Sequence, residues 1–368
     1  MKQKIKKVFQ IQGGFKNEMD RNSIFFLDYH IPRSLRAILF SLNVLLTPFL
    51  KIAIFCGIKR KRTKQPQFYL SICAIFKDES LSLKEWIEYH LIVGVQHFYL
   101  YNNNSTDNYQ EILLPYIEKG IVDLVNWPLH PAGQLPAYRE CFAKHKDDSQ
   151  WIAYIDLDEY LCPYYNRDMK DWLKKYKKYP SVFVYWKMIG SSGNIVHDKT
   201  KLITEQYTVA WDRLSDIGKS IFNTDFDYYR MEAPDLHEIP GCVSVLGKRI
   251  KVPPVNEFKK FVYLKSNPIG LFHSKNDFTI QINHYFSKSM QEYVENKTRR
   301  GPGTSVGENA KKLRSLNAYF SQQTNCRVPD YSIFRFMDSL KIKMGKTTFI
   351  NDKLAQMGFN YDANKNEI

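Results

Sequence analysis

From residue 67 onward, apolar runs alternate with amphipathic stretches about every 25–30 residues, and this rhythm constrains the fold more than any other feature of the 368-residue chain. YLSICAIF (Tyr69 to Phe76) is a near-continuous apolar run, as expected for a strand covered on both faces. In SLSLKEWIEYHLIVG, Ser82 with Glu85 three residues on has the form of a capping box. Leu83, Trp86, Ile87, His90 and Leu91 then share one helical face, and Gly94 is the stop. HFYLYN (His97 to Asn102) reads as a second strand, YQEILLPYIEKG as a helix and IVDLVNW as a third strand. Residues Gln134 to Lys146 read as a helix, WIAYIDLDEYL (Trp151 to Leu161) as a fourth strand, and SVFVYWKMIG (Ser181 to Gly190) as another. This order predicts an α/β fold: a Rossmann-type, mainly parallel sheet with right-handed crossovers and flanking helices.

The fourth strand opens with buried-type residues and closes with three carboxylates, Asp156, Asp158 and Glu159. A buried, unpaired carboxylate is costly and tends to take up a proton. In an open parallel sheet, however, ligands bind beyond the carboxyl ends of the strands. Lys77, Asp78 and Glu79 fall at such an end, as do Asn102 to Ser105 with Asp107. Hard divalent cations take oxygen ligands from carboxylates and substrate phosphates, and the ion's charge compensates the burial. Asp-x-Asp is common in surface turns, so its weight here comes from its place after an apolar strand. As the neighbour of Asp158, Glu159 is expected to face the other side of the strand and to serve a separate task, such as pairing with Lys219 or Arg299.

The chain divides into a basic and apolar segment (1–66), a main domain (67–305) and a C-terminal helical extension (306–368). The first segment contains AILFSLNVLLTPFLKIAIFCG followed by KRKRTK. Its length approaches a bilayer span, but Asn43, Pro48 and Lys51 interrupt it. The pattern predicts a helix or helical pair in the membrane interface, with the basic run on anionic headgroups. The net charge of +15 points to polyanionic neighbours without choosing among nucleic acid, membrane and phosphorylated substrates. Six scattered cysteines without C-x-x-C spacing read as reduced thiols.

Several motifs in order resemble glycosyltransferase family 92, within the GT-A superfamily of nucleotide-sugar-dependent transferases. They are Lys77-Asp78-Glu79, Glu85-Trp86-Ile87-Glu88-Tyr89-His90, Gly94-Val95, Asn103-Asn104-Ser105 with Asp107, and Asp156-Leu157-Asp158-Glu159-Tyr160. WKMIGSSG (Trp186 to Gly193), Lys219-Ser220-Ile221, Asn283-His284-Tyr285, Lys288-Ser289 and Arg300-Gly301 follow. The chain departs from related transferases at Asp78, often Asn, and at Met188-Ile189, where an aromatic is commoner before Gly190.

The resemblance implies a GT-A-like fold and a metal-dependent transfer of a hexose, such as galactose or glucose, from a UDP-sugar. The acceptor would be a surface glycan or lipid-linked molecule at the cytoplasmic face of the membrane, with nucleic acid not a partner. Asp78, Glu79, Asn104 and Asp107 would contact the nucleotide. Asp156, Asp158 and His284 would hold Mn²⁺ or Mg²⁺ on the diphosphate. Gln134, Tyr138 and Arg139 precede the metal strand, and Lys219, Lys288 and Arg299 are cations suited to phosphate. Arg139 and Lys288 have the plainer reading of solvated helix charges, and His90 that of a packed histidine. Glu205, Asp212 and His237 lie in the acceptor half, and nothing in the spacing selects one as the base. Two rivals stand beside this reading. One is a metal-dependent nuclease or phosphodiesterase, which suits acidic clusters and positive charge but leaves the Asn-rich loop and His284 unexplained. The other is a non-catalytic membrane- or nucleic-acid-binding protein on a transferase fold.

Overall fold

The structure, a computed structural model, describes residues 25–26, 33–129, 133–230, 237–262, 278–298, 314–346 and 356–358. A 24-residue helix, α1 (Arg33–Cys56), comes first. β1 (Phe68–Phe76), α2 (Ser80–Ile92), β2 (His97–Asn102), α3 (Tyr109–Glu118), β3 (Val122–Asn126), α4 (Gln134–His145) and β4 (Ser149–Tyr154) follow in the expected alternation. β5 (Glu159–Pro163), β6 (Ser181–Met188), β7 (Gly218–Asn223) and β8 (Ile280–His284) complete an eight-stranded sheet of order β3-β2-β1-β4-β7-β6-β8-β5. The first four strands in that order are mutually parallel. β7 runs antiparallel to β4 and β6, and β8 runs parallel to β6 but antiparallel to β5. The mixed, mainly parallel sheet expected from the sequence is the sheet observed.

Two local expectations are corrected. WIAYIDLDEYL is not one strand: β4 ends at Tyr154, β5 starts at Glu159, and the two lie four positions apart in the sheet. Four residues cannot bridge that distance across a flat sheet, so the sheet curls. Glu159 closes the turn, its Oε2 accepting from the Asp156 N–H at 3.1 Å while its own N–H donates to the Asp156 carbonyl at 3.1 Å. The capping box is also absent. α2 begins at Ser80, and Glu85 points away from its own helix end. Its carboxylate accepts from the N–H groups of Ile203 (2.7 Å) and Thr204 (2.9 Å) and from Thr204 Oγ1 (2.8 Å). Those buried amides open the short helix Ile203–Gln206 and have no intrahelical partner, so a distant carboxylate satisfies them.

Much of the chain's aromatic content is packed inside. Trp86, Tyr89, Trp151, Tyr154 and Tyr160 are buried in one continuous cluster. His90 is the packed histidine expected: its Nδ1 lies 2.8 Å from the Trp86 carbonyl, and burial pulls its pKa down to about 3. All six cysteines are free thiols. C-terminal residues enter the same core through Ile333, Phe336 and Leu340, and Cys326–Pro329 pairs antiparallel with Val209–Trp211.

α1 rests on the domain along one narrow face. Ala53 is buried, Leu50 and Ile54 pack on the core, and Asn43 Nδ2 donates to the Phe261 carbonyl at 2.9 Å. At the helix end, a Cβ on Gly57 would lie 2.5 Å from the Val243 Cβ, so only glycine lets the chain approach the Gly241–Val245 strand this closely. Leu42, Leu45, Phe49, Ile52 and Phe55, by contrast, are exposed. Among the described residues, no helix is long and apolar enough to cross a membrane.

The KRKRTK run differs from expectation in its arginines. Arg60 pairs with Asp147 at 2.6 Å and Arg62 with Asp225 at 2.6 Å. Both also donate to Thr224, Arg60 to its carbonyl at 2.8 Å and Arg62 to its Oγ1 at 2.6 Å. Planar guanidinium forks match such multiple acceptors. The arginines therefore bolt α1's exit to the domain, while Lys59, Lys61 and Lys64 are exposed, Lys64 pairing with Asp148 at 2.5 Å.

Candidate active site

The loops after β1 and β2 are laced together at the carboxyl-end rim. The Asp78 N–H donates to Ser105 Oγ at 3.0 Å, and Asp78 Oδ1 accepts from the Thr106 N–H at 2.7 Å. Asp107 Oδ2 accepts from the Ser80 N–H at 2.8 Å, capping α2 from the neighbouring loop. Asp78 and Asn104 both have positive φ, 51° and 57°. That conformation is uncommon outside glycine and is tolerated best by Asn and Asp. Asn104 Nδ2 lies 3.4 Å from the Pro128 carbonyl. The four residues expected to serve the nucleotide thus sit in one pair of adjacent loops.

Two groups of side chains form around the turn between β4 and β5. In the first, Gln134 Nε2 donates to Asp156 Oδ1 at 2.7 Å and Lys219 Nζ to Asp156 Oδ2 at 2.8 Å. Lys219 also stands 3.6 Å from Glu159 Oε1. Its ammonium is fully buried, and although burial opposes the charge, Asp156 and Glu159 outweigh it and raise its pKa. Gly218 makes this placement possible. A Cβ there would fall 1.9 Å from the Val184 carbonyl oxygen, so the backbone of β7 closes on β6 immediately before Lys219.

In the second group, atoms of Asp158, Glu159 and His284 lie within 4.8 Å of one another, all from buried residues. The register of β5 against β8 accounts for this, because Glu159 and His284 are paired residues across the two strands. His284 Nε2 is 3.6 Å from Asp158 Oδ1, and Lys297 Nζ is 2.5 Å from Asp158 Oδ2. Burial works against ionisation of Asp158, but Lys297 and then His284 prevail and hold its carboxyl well below the usual range. Glu159 goes the other way: burial pushes it well above the usual range, with Lys219 countering only in part. Burial likewise lowers the pKa of His284, with Asp158 opposing. Glu159 Oε1 and His284 Nδ1 are buried without a hydrogen-bond partner. Two carboxyl groups and an imidazole, with a ligand atom of Glu159 and one of His284 unsatisfied, are a set that fits Mn²⁺ or Mg²⁺. Asp156 lies beside this trio, with both of its oxygens engaged by Gln134 and Lys219.

The remaining expected residues are more dispersed. Lys288 is buried rather than solvated, pairing with Glu79 at 3.2 Å and Glu292 at 3.9 Å, so it joins the β1 loop to the second half of the chain. Arg139 is exposed on α4. Tyr138 is buried and accepts from Gln134 at 2.9 Å. Arg299, Arg300 and Gly301 lie outside the described residues. Of the three acceptor-half candidates, Glu205 is tied to Lys341 at 2.6 Å and Asp212 is 3.7 Å from Arg213. His237 is the one placed at the site's border, edge-on to Trp186, whose ring packs 4.4 Å from that of His284. Sequence reasoning missed Lys297. Its only signal was a run of cations soon after the NHY motif.

Residues 67–235 match glycosyltransferase family 92. A family 92 protein of Oryza sativa subsp. japonica is 28% identical over 123 residues, covering 33% of this chain and 21% of the rice protein. One from Ricinus communis is 30% identical over 127 residues, covering 33% and 22%. The match therefore spans about a fifth of the length of these curated relatives. Among solved structures, residues 1–349 of S. aureus TarS share 10% identity at a TM-score of 0.29, covering 43% of this chain and 47% of that one. A Pyrobaculum calidifontis mannosyltransferase in complex with GDP-Man and Mn²⁺ shares 14% at a TM-score of 0.26, covering 41% and 45%. Likenesses this slight carry no argument.

Proposed function

We propose that this protein, whose residues 67–235 match glycosyltransferase family 92, is a metal-dependent glycosyltransferase moving a hexose from a UDP-sugar to a surface glycan or lipid-linked acceptor. The observation that carries the proposal is the buried trio of Asp158, Glu159 and His284 beside the laced loops of Asp78 and Asp107. Asp158, Glu159 and His284 would hold a divalent cation, which when bound would supply Lewis-acid stabilisation to a departing diphosphate. The chain's own residues do the rest. The two loops present carboxylates and amides to the base and ribose, and Lys219 holds Asp156 in place. Lys288 fixes Glu79 against the second half of the site. The acceptor hydroxyl needs a base, and His237 at the border of the trio is the candidate best placed among those expected.

The exposed apolar face of α1, flanked by Lys59, Lys61 and Lys64, supports seating at an anionic membrane surface. A lipid-linked acceptor at the cytoplasmic face is consistent with that seating. The test is a thermal-shift panel of nucleotide sugars with and without Mn²⁺, because a ligand that binds only the folded state raises the transition by mass action. A UDP-hexose should stabilise the protein only when Mn²⁺ is present. If no nucleotide sugar shifts the transition in either condition, the assignment falls.

A further inference from the structure

Lys297 ends a five-residue π-helical turn, Tyr293–Lys297, that continues from the Ser289-capped turn Met290–Glu292. Turns of this type are rare and recur at functional sites. Its ammonium lies against Asp158 Oδ2 at 2.5 Å, and the face of the Phe286 ring is 5.3 Å away. Arg314 covers the same ring at 4.7 Å, so the wall on which Lys297 rests is itself cation-lined. Asp158 is thus satisfied by a cation from its own chain, whereas Glu159 Oε1 and His284 Nδ1, its companions in the trio, have no hydrogen-bond partner. A divalent ion bound through Asp158 would sit ~2.1 Å from the carboxylate. The ammonium and the ion would then crowd one small carboxylate in a buried site, and their mutual repulsion favours one occupant at a time. Lysine suits a place that must be vacated, being a compact charge on a flexible four-carbon stem.

We propose that Lys297 is a displaceable counter-ion. It holds Asp158 when no divalent ion is bound and is driven off when one binds. The released ammonium then pairs with the diphosphate that accompanies the ion. This rests on the metal-dependent reading above and adds to it an exchange of partners by one residue. In this scheme the positive charge near Asp158 is never simply lost; it is handed from the protein to the ion, while the lysine's own charge moves to the incoming anion.

The two halves predict opposite effects of a single substitution. Calorimetry with Mn²⁺ alone, and then with UDP at saturating Mn²⁺, should be run on the wild type, Lys297→Met, Lys297→Arg and Asp158→Asn. Lys297→Met should bind Mn²⁺ about tenfold more tightly and UDP about tenfold more weakly, each the equivalent of one charge-assisted hydrogen bond. Lys297→Arg keeps the charge and should stay close to wild type in both, which separates lost charge from a disturbed turn. The inference is overturned if Lys297→Met leaves Mn²⁺ affinity unchanged or weakens it, or if UDP affinity at saturating Mn²⁺ does not fall. Asp158→Asn distinguishes the two levels of failure. If it abolishes Mn²⁺ binding while Lys297→Met matches wild type, the counter-ion role fails and the metal site stands. If Mn²⁺ binding survives Asp158→Asn, or the wild type binds none, the metal reading fails and this inference with it.

Discussion

Lys219→Met tests how the turn between β4 and β5 is held. The Lys219 side chain is 1% exposed, 2.8 Å from Asp156 and 3.6 Å from Glu159. At an effective dielectric of ~20 these separations correspond to gross attractions of about 6 and 5 kcal/mol. Desolvation offsets most of that, but removing one partner of a buried ionic group typically costs about 3–5 kcal/mol, because the other charges are left uncompensated. Here Asp156 is 33% exposed, so water screens part of its loss. Glu159 is 0% exposed and already biased toward its neutral form, which caps its share. The lower end is therefore expected, about 3 kcal/mol. Adding Glu159→Gln to Lys219→Met should recover about 1–2 kcal/mol, since the two residues are coupled neighbours. Urea unfolding followed by tryptophan fluorescence measures both, with unchanged slopes licensing the comparison. A Lys219→Met protein within about 1 kcal/mol of wild type would refute the reasoning. So would a double variant no more stable than the single one.

Two further outcomes are expected. Phe49→Ser with Phe55→Ser should reduce co-sedimentation with phosphatidylserine vesicles without lowering the unfolding midpoint, because both side chains are exposed on α1; replacing Lys59 and Lys61 with Gln should do the same and weaken the salt dependence. Unchanged sedimentation in both variants would dismiss the membrane seat. Burial raises the Glu257 carboxyl to about 7, opposed by hydrogen bonds from Thr279. A carboxyl whose folded pKa lies above its unfolded value binds more protons when folded, so its contribution to stability is full below about pH 4.5 and is lost as the pH rises through 7, by about 3 kcal/mol at most. Glu257→Gln should flatten that decline between pH 5 and 8 in unfolding midpoints, and an identical pH profile would exclude the assignment.

The strand and helix order was legible because it rests on local periodicity. Tyr69 to Phe76 and His97 to Asn102 announce themselves as strands from their own residues. The break after Tyr154 was not legible. An apolar run that turns looks the same as one that continues, and the partner that captures β5 lies at Ile280–His284. Glu85 misled for a similar reason: its spacing from Ser82 is that of a local cap, while its three donors sit on Ile203 and Thr204. Among the site residues, Asp158 and His284 were chosen by motif, and their neighbourhood follows from strand register. Lys297 and the inward turn of Arg60 and Arg62 depend on partners brought close only by the finished fold.

The pairing of β5 with β8 has a consequence for synthesis. Among the described strands β5 pairs only with β8, whose residues leave the ribosome on the order of ten seconds after those of β5, while Trp86, Tyr89 and His90 of α2 bond its other edge. Until then Glu159, with Asp158 in the turn just before it, stands at an open strand edge, the kind of surface that recruits a wrong strand from another chain. Their charge protects that edge, since a strand added there would bury carboxylates without a partner. The residues suited to gripping an ion in the finished protein would thus act, during translation, as the chain's guard against premature pairing.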